Sequence, residues 1–237
     1  MRTHQQILAI KDTQSNPKQL WNMLTQDDIG ILLNYYNTSD KIIEKNTGPK
    51  VLHVKEGEGI IDNILGTLRK LYGNFDLRSA HYFDVDKPHV IHNDDDFDYP
   101  QCYKAFVIPL YVEGNTCDKA KFFVFDQTYY GGPAKFVNGE DVTDKPVYYN
   151  QFLTDYKDIQ DISVESIGDI HLQYLTHLKS KWLEGLSVKS YFPWHIGSMI
   201  EFDSLRLHCS SDFNAVGITR KIGLSIFTKW DNKGLTK

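Results

Sequence analysis

Cysteine is scarce in this chain. Cys102, Cys117 and Cys209 are the three in 237 residues. The number is odd and no Cys-x-x-Cys pair occurs, which argues against a disulfide framework and against a zinc ribbon. A reducing, cytoplasmic setting is the expectation. Long apolar runs are also missing. No stretch approaches the ~18 residues of a membrane-spanning helix, and the apolar run Ile7-Leu8-Ala9-Ile10 is too short for the core of a signal peptide. No basic excess is present: 26 Lys and Arg stand against 31 Asp and Glu, a formal net charge of −5. Phosphate contacts dominate nucleic-acid affinity, so nucleic acid is not the expected partner. Internal repeats and low-complexity segments are absent too.

What remains is an ordinary globular composition, 41% hydrophobic with 13% aromatic residues. Aromatic and β-branched residues favour strands. The length suits one domain with a full core, 1–237. The first part, to about residue 75, reads as mainly helical support. Asn16-Pro17 before KQLWNML suggests an N-cap with Pro at the first helical position. Thr25 to Asp28 reads as a capping box, with Ile29, Leu32, Leu33 and Tyr36 on one face behind it. A third helix fits Ile60 to Tyr72, with Gly73 as its cap. From Leu77 to Trp230 short apolar runs take over: LRSAHYFDV, KAFVIPLYV, KFFVFDQ, SMIEFD and KIGLSIFTKW. One interruption, about 128–190, holds Gly131-Gly132-Pro133 and a helix with Leu172, Leu175, Leu178 and Trp182. A long insertion between core strands suggests a lid or binding wall, and Tyr129, Tyr130, Tyr148 and Tyr149 are candidate loop and wall aromatics within it. The expected class is mainly β with supporting helices, a β-sandwich or jelly roll.

The densest cluster of chemistry is PHVIHNDDDFDYP, residues 88–100. Asp94, Asp96 and Asp98 imitate the start of a calcium loop, but Tyr99 stands where that loop needs glycine and Ala105 where it needs glutamate. His92 and Asp94 are different. Two residues apart on an extended chain, they point to one side and can bind one metal from adjacent corners. A His-x-Asp alone is weak and needs a third ligand. His208 is the candidate, at the end of the run Leu205-Arg206-Leu207-His208, with Arg220 opening the last apolar strand. The stretch from Val54 to Asp62 imitates a dinucleotide fingerprint, but Asp62 stands at the third glycine and no βαβ series follows.

Three features together resemble the 2-oxoglutarate and iron(II)-dependent oxygenase superfamily: His92-Asn93-Asp94, the lead-in Gly-Ser-x-Ile-x-Phe-Asp-Ser-x-x-x-His from Gly197, and HCSSDFNAVGITRKIGLS with His208 and Arg220. The resemblance spans roughly Leu77 to Trp230. It implies a double-stranded β-helix (a cupin-like jelly roll) with His92, Asp94 and His208 as ligands of Fe(II). Two His and one carboxylate on one face leave positions open for cosubstrate and O2. It also implies 2-oxoglutarate as cosubstrate, with its distal carboxylate on Arg220, whose guanidinium offers a bidentate fork that stays charged. Arg206 is the competitor, because it alternates onto the side of His208. One departure stands out: many members carry a serine two residues after the arginine, where this chain has Ile222.

The implied reaction converts 2-oxoglutarate to succinate and CO2 while hydroxylating a substrate. Members that halogenate lack the carboxylate ligand, so Asp94 argues for hydroxylation. The rival readings are a cupin-like barrel holding another divalent metal without oxygenase activity, and a binding module whose site has decayed. A simple metal barrel has no need of a buried cation facing its metal. The residues leave the substrate open among a small metabolite, a peptide side chain and a lipid-derived acid.

Overall fold

The apolar runs of the second half pair into two antiparallel sheets. The computed structural model describes residues 15–43, 49–95, 102–129 and 168–230. Its strands are β1 (Lys18–Leu20), β2 (Lys50–Val54), β3 (Phe75–Val85), β4 (Cys102–Glu113), β5 (Lys121–Thr128), β6 (Val188–Pro193), β7 (Met199–Asp203), β8 (Arg206–Ser210) and β9 (Arg220–Trp230). The helices are α1 (Gln26–Thr38), α2 (Asp62–Tyr72) and α3 (Gly168–Tyr174). The larger sheet has the order β1-β7-β4-β9-β3-β2, the smaller β6-β5-β8. Every pairing is antiparallel. This is a double-stranded β-helix backed by helices, as the sequence predicts.

Alternation along each strand divides the molecule into three apolar layers. Ile222, Leu224 and Ile226 of β9 face the helices, packing with Leu32 and Tyr36 of α1 and Leu65 and Leu68 of α2. The intervening residues face the space between the sheets, where Phe227 joins Phe122, Val124, Phe202 and Trp194. A third cluster lies outside the smaller sheet, where Leu175, Leu178 and Trp182 cover Phe123, Phe125, Leu207 and Cys209. Cys209 is thus packing, one residue from a candidate ligand and on the other side of the strand.

The capping box forms: Thr25 Oγ1 accepts from the Asp28 amide, and the Asp28 carboxylate accepts from the Thr25 amide. Gly73 closes α2 with φ of 80°, a conformation that favours glycine. The glycines of the false dinucleotide fingerprint are also occupied. The amides of Gly57 and Gly59 donate to the Asp62 carboxylate, each at 3.0 Å.

Three expectations need correction. KQLWNML does not form a helix; Lys18–Leu20 is an edge strand on β7. Gln19 Nε2 ties it to the Pro193 carbonyl and the Ser198 hydroxyl, and Asn22 at φ 55° turns the chain out of it. The insertion helix stops at Tyr174, and a short 3-10 turn, Ser180–Trp182, continues the apolar cover. Burial on the smaller sheet decides this segment rather than helical periodicity, so Leu172 is 74% exposed. Finally, residues 188–193 form β6 against β5 instead of lying in or just past the insertion. Tyr130, Tyr148, Tyr149, Gly131-Gly132-Pro133, Asp96 and Asp98 lie outside the described residues.

Candidate metal centre

His92 lies between β3 and β4 and pairs with β8 through a two-way bridge: each of His92 and His208 donates its amide to the other's carbonyl, at 3.0 and 2.9 Å. This bridge extends the smaller sheet by the segment that carries the His-x-Asp. The Asp94 amide donates to the Ser204 carbonyl at 2.8 Å, which fixes the segment to the turn before β8.

The ligand atoms converge. One donor atom from each of His92, Asp94 and His208 lies within 4.8 Å of the others. His208 Nε2 is 3.3 Å from Asp94 Oδ2, and His92 Nε2 is 3.8 Å from Asp94 Oδ1. Ligands about 2.1 Å from one ion and at right angles to each other stand about 3 Å apart, so the spacing suits a shared ion. Both imidazoles are also in the correct tautomer. His92 Nδ1 lies 2.8 Å from the Val90 carbonyl and His208 Nδ1 2.9 Å from the Arg206 carbonyl. A carbonyl only accepts, so each Nδ1 carries a proton, and in the neutral ring that directs the Nε2 lone pair to the shared site. The His208 ring is wedged against Phe202 and Phe122, with centroids 4.5 and 5.4 Å away. Two His and one carboxylate fit iron(II) and leave part of the coordination sphere open.

Burial pushes the Asp94 carboxyl up, with His208 and Arg78 acting against it. Arg78 also does mechanical work. It is the extra residue of a β-bulge in β3, between Leu77 opposite Thr228 and Ser79 opposite Phe227. Bulges re-aim side chains, often beside active sites. Here the guanidinium lies over the Phe227 ring at 4.8 Å, and its Nη1 donates to the Asp94 carbonyl at 2.6 Å.

Arg220 does not join this group. It shares the helix-facing side of β9 with Ile222. Its Nε and Nη2 donate to Asp84 Oδ1 and Oδ2, both at 2.8 Å, and the Tyr36 hydroxyl donates to the same carboxylate. Its side chain is 38% exposed. Burial raises the Asp84 carboxyl, but the Arg220 fork and the Tyr36 hydroxyl outweigh that and hold it below the usual range. The guanidinium already has a carboxylate, and it belongs to the protein. Arg206 does face the interior, but Nη1 donates to the Asp126 carbonyl at 2.9 Å and Nε approaches Asp203 at 3.6 Å.

The cation that faces the interior beyond the ligands is Lys221, which the motif reading passes over. Its residue is 2% exposed. Nζ donates to Ser210 Oγ at 3.0 Å and lies 4.1 and 4.4 Å from the Trp194 and Phe213 ring centroids. No carboxylate pairs with it among the described residues. Burial pushes its pKa down to about 7. Ser210 follows His208 by two residues on the same face, about 7 Å along the strand. The available signal was alternation: Ile222, Leu224 and Ile226 are the buried apolar side of β9, which turns Lys221, Gly223 and Ser225 inward.

Neither a scan against protein-family models nor a search of curated proteins returns a match. Solved structures do match in fold. A prolyl-4-hydroxylase from Pseudomonas putida superposes with a TM-score of 0.52 over 94% of this chain and 98% of its own, at 10% identity. HygX from Streptomyces hygroscopicus, solved with nickel and 2-oxoglutarate bound, gives 0.51 over 98% and 89%, at 10% identity. SnoN, a non-heme α-ketoglutarate-dependent epimerase of nogalamycin biosynthesis, gives 0.51 over 95% and 82%, also at 10%. The architecture of this chain is therefore one found in non-heme 2-oxoglutarate-dependent oxygenases. Among the described residues no helix is long and apolar enough to cross a membrane.

Proposed function

We propose that this protein is an Fe(II)- and 2-oxoglutarate-dependent oxygenase that hydroxylates a small-molecule or side-chain substrate. His92, Asp94 and His208 hold the metal, and Lys221 takes the role expected of Arg220. The observation that carries this reading is the ammonium of Lys221, buried without a carboxylate partner among the described residues, and bonded to Ser210 on the His208 face of β8. A buried charge is costly unless it is paired. A bound dianion that reaches from the metal to Nζ would supply the missing charge, and 2-oxoglutarate carries a carboxylate at each end. Bound at the triad, iron supplies activation of O2 coupled to decarboxylation of the cosubstrate.

The chain's own residues do the rest. Val90 and Arg206 carbonyls orient the imidazoles, Ser204 and Arg78 hold the Asp94 backbone, and Phe122 and Phe202 exclude water behind His208. Asp94 occupies the position a halide would need, which favours hydroxylation over halogenation. The fold matches add support, since SnoN is an α-ketoglutarate-dependent enzyme and HygX was solved with 2-oxoglutarate bound.

Anaerobic titration tests the reading. The Fe(II)-loaded protein should gain a weak visible charge-transfer band on addition of 2-oxoglutarate, and Lys221→Met should lose it while still binding metal. Metal binding with no response to 2-oxoglutarate would instead favour the cupin-like metal barrel.

A further inference from the structure

The cage around Lys221 contains a second group in want of a partner. Trp194 is 7% exposed and packs between the sheets. Its Nε1 is fully buried and has no acceptor among the described residues. A buried N–H left unpaired costs free energy, and native structures seldom keep one without a reason. The indole is held in place from three sides. The Trp194 amide donates to the Ala120 carbonyl at 2.9 Å. Lys221 Nζ lies over the ring face. The benzo edge lies against β9 at Gly223, where an added Cβ would come within 2.9 Å of Cη2 and 3.0 Å of Cζ2. Gly223 is not in a left-handed conformation, so its lack of a side chain is a matter of space for the indole. The N–H lies on the same long side of the indole as Cζ2.

Lys221 and Trp194 thus share one deficiency. Both are donors, both are buried, and neither has an anionic acceptor among the described residues. Ser210 Oγ does not relieve it, because that hydroxyl accepts from Lys221 and donates to the Ser211 carbonyl. We infer that Trp194 is a second binding residue for the anion at Lys221, its indole N–H donating to the carboxylate that the ammonium neutralises. Gly223 is the complementary feature, the vacancy that lets the indole reach this position. The inference rests on the reading of Lys221 as the cosubstrate cation and adds a specificity element to it. One ammonium and one in-plane N–H select a carboxylate with two accepting oxygens over a neutral end group.

The experiment uses the full chain loaded with Zn(II), labelled with 15N, and titrated with 2-oxoglutarate. The side-chain N–H resonance of Trp194, identified by its disappearance in Trp194→Phe, should move downfield on saturation. By calorimetry Trp194→Phe should bind 2-oxoglutarate about ten-fold more weakly, the loss expected for one hydrogen bond to a charged group, with Zn(II) affinity and melting temperature near wild type. Adding Gly223→Ser to Trp194→Phe places a hydroxyl in the vacated space and should recover most of that loss. An unmoved N–H resonance, or wild-type affinity in Trp194→Phe, overturns the inference. If Lys221→Met still abolishes binding in that case, the proposed function stands without it. Failure of the wild-type protein to bind 2-oxoglutarate overturns both.

Discussion

Arg220 and Lys221 are consecutive on β9, carry the same formal charge and sit in opposite environments. Arg220 faces the helices, forks onto Asp84 and keeps a third of its side chain in water. Lys221 faces the space between the sheets, with a serine hydroxyl and two aromatic rings for company. The guanidinium has its carboxylate within the fold and stabilises it. The ammonium has none among the described residues, and on the proposed function a ligand's carboxylate supplies it. A spacing rule that counts residues after His208 is blind to this difference, because one step along a strand exchanges its two faces.

The sharpest break between the faces is expected at the proposed ligands. His208→Ala should weaken Fe(II) or Co(II) binding more than a hundred-fold by calorimetry, beyond what loss of a supporting residue gives. Asp84→Asn on the outer face should leave metal affinity unchanged. Next comes Arg78. Arg78→Met removes the hydrogen bond to the Asp94 carbonyl and should weaken metal binding about ten-fold, with Arg78→Lys recovering part of it. Unchanged Co(II) affinity and d–d spectra in Arg78→Met would mean that the bulge has no role at the centre. On the outer face, Arg220→Met should cost about 1–2 kcal/mol in urea denaturation, a partly exposed fork being worth less than a buried one, while sparing metal affinity.

A further effect is one of pH. The Lys221 pKa is pushed down to about 7, chiefly by burial, below its value in the unfolded chain. Between these two values the unfolded state holds the extra proton, so this group's contribution to stability rises with pH above about 7 and is lost as pH falls through 7. The melting temperature of the ligand-free wild type should therefore climb relative to Lys221→Met from pH 7 to 9. Identical slopes would contradict this. Binding runs the other way: above pH 7 the ammonium must be re-formed to meet the anion, so 2-oxoglutarate affinity should fall as pH rises.

The pairing of His92 with Asp94 was legible from local alternation, whereas its union with His208 was implied by the family resemblance, because contact across more than a hundred residues leaves no local pattern. Also legible were the capping box at Thr25 and the stop at Gly73. Strand β1 was not, since three residues form a strand only through their partner β7. Arg78 was not, since a bulge is a register shift between β3 and β9 and exists in neither strand alone. Lys221 was within reach: the alternation of Ile222, Leu224 and Ile226 points it inward, but a conspicuous arginine one position earlier drew the assignment.

The most direct test sets the two neighbours against each other. The Fe(II)-loaded wild type, Arg220→Met and Lys221→Met are titrated anaerobically with 2-oxoglutarate, and the charge-transfer band is followed. The expected result is near-wild-type affinity in Arg220→Met and a loss of about a hundred-fold or more in Lys221→Met, as for truncating one partner of a buried charge pair. The reverse order, with Lys221→Met binding normally and Arg220→Met failing, would contradict the assignment of the interior face as the cosubstrate site.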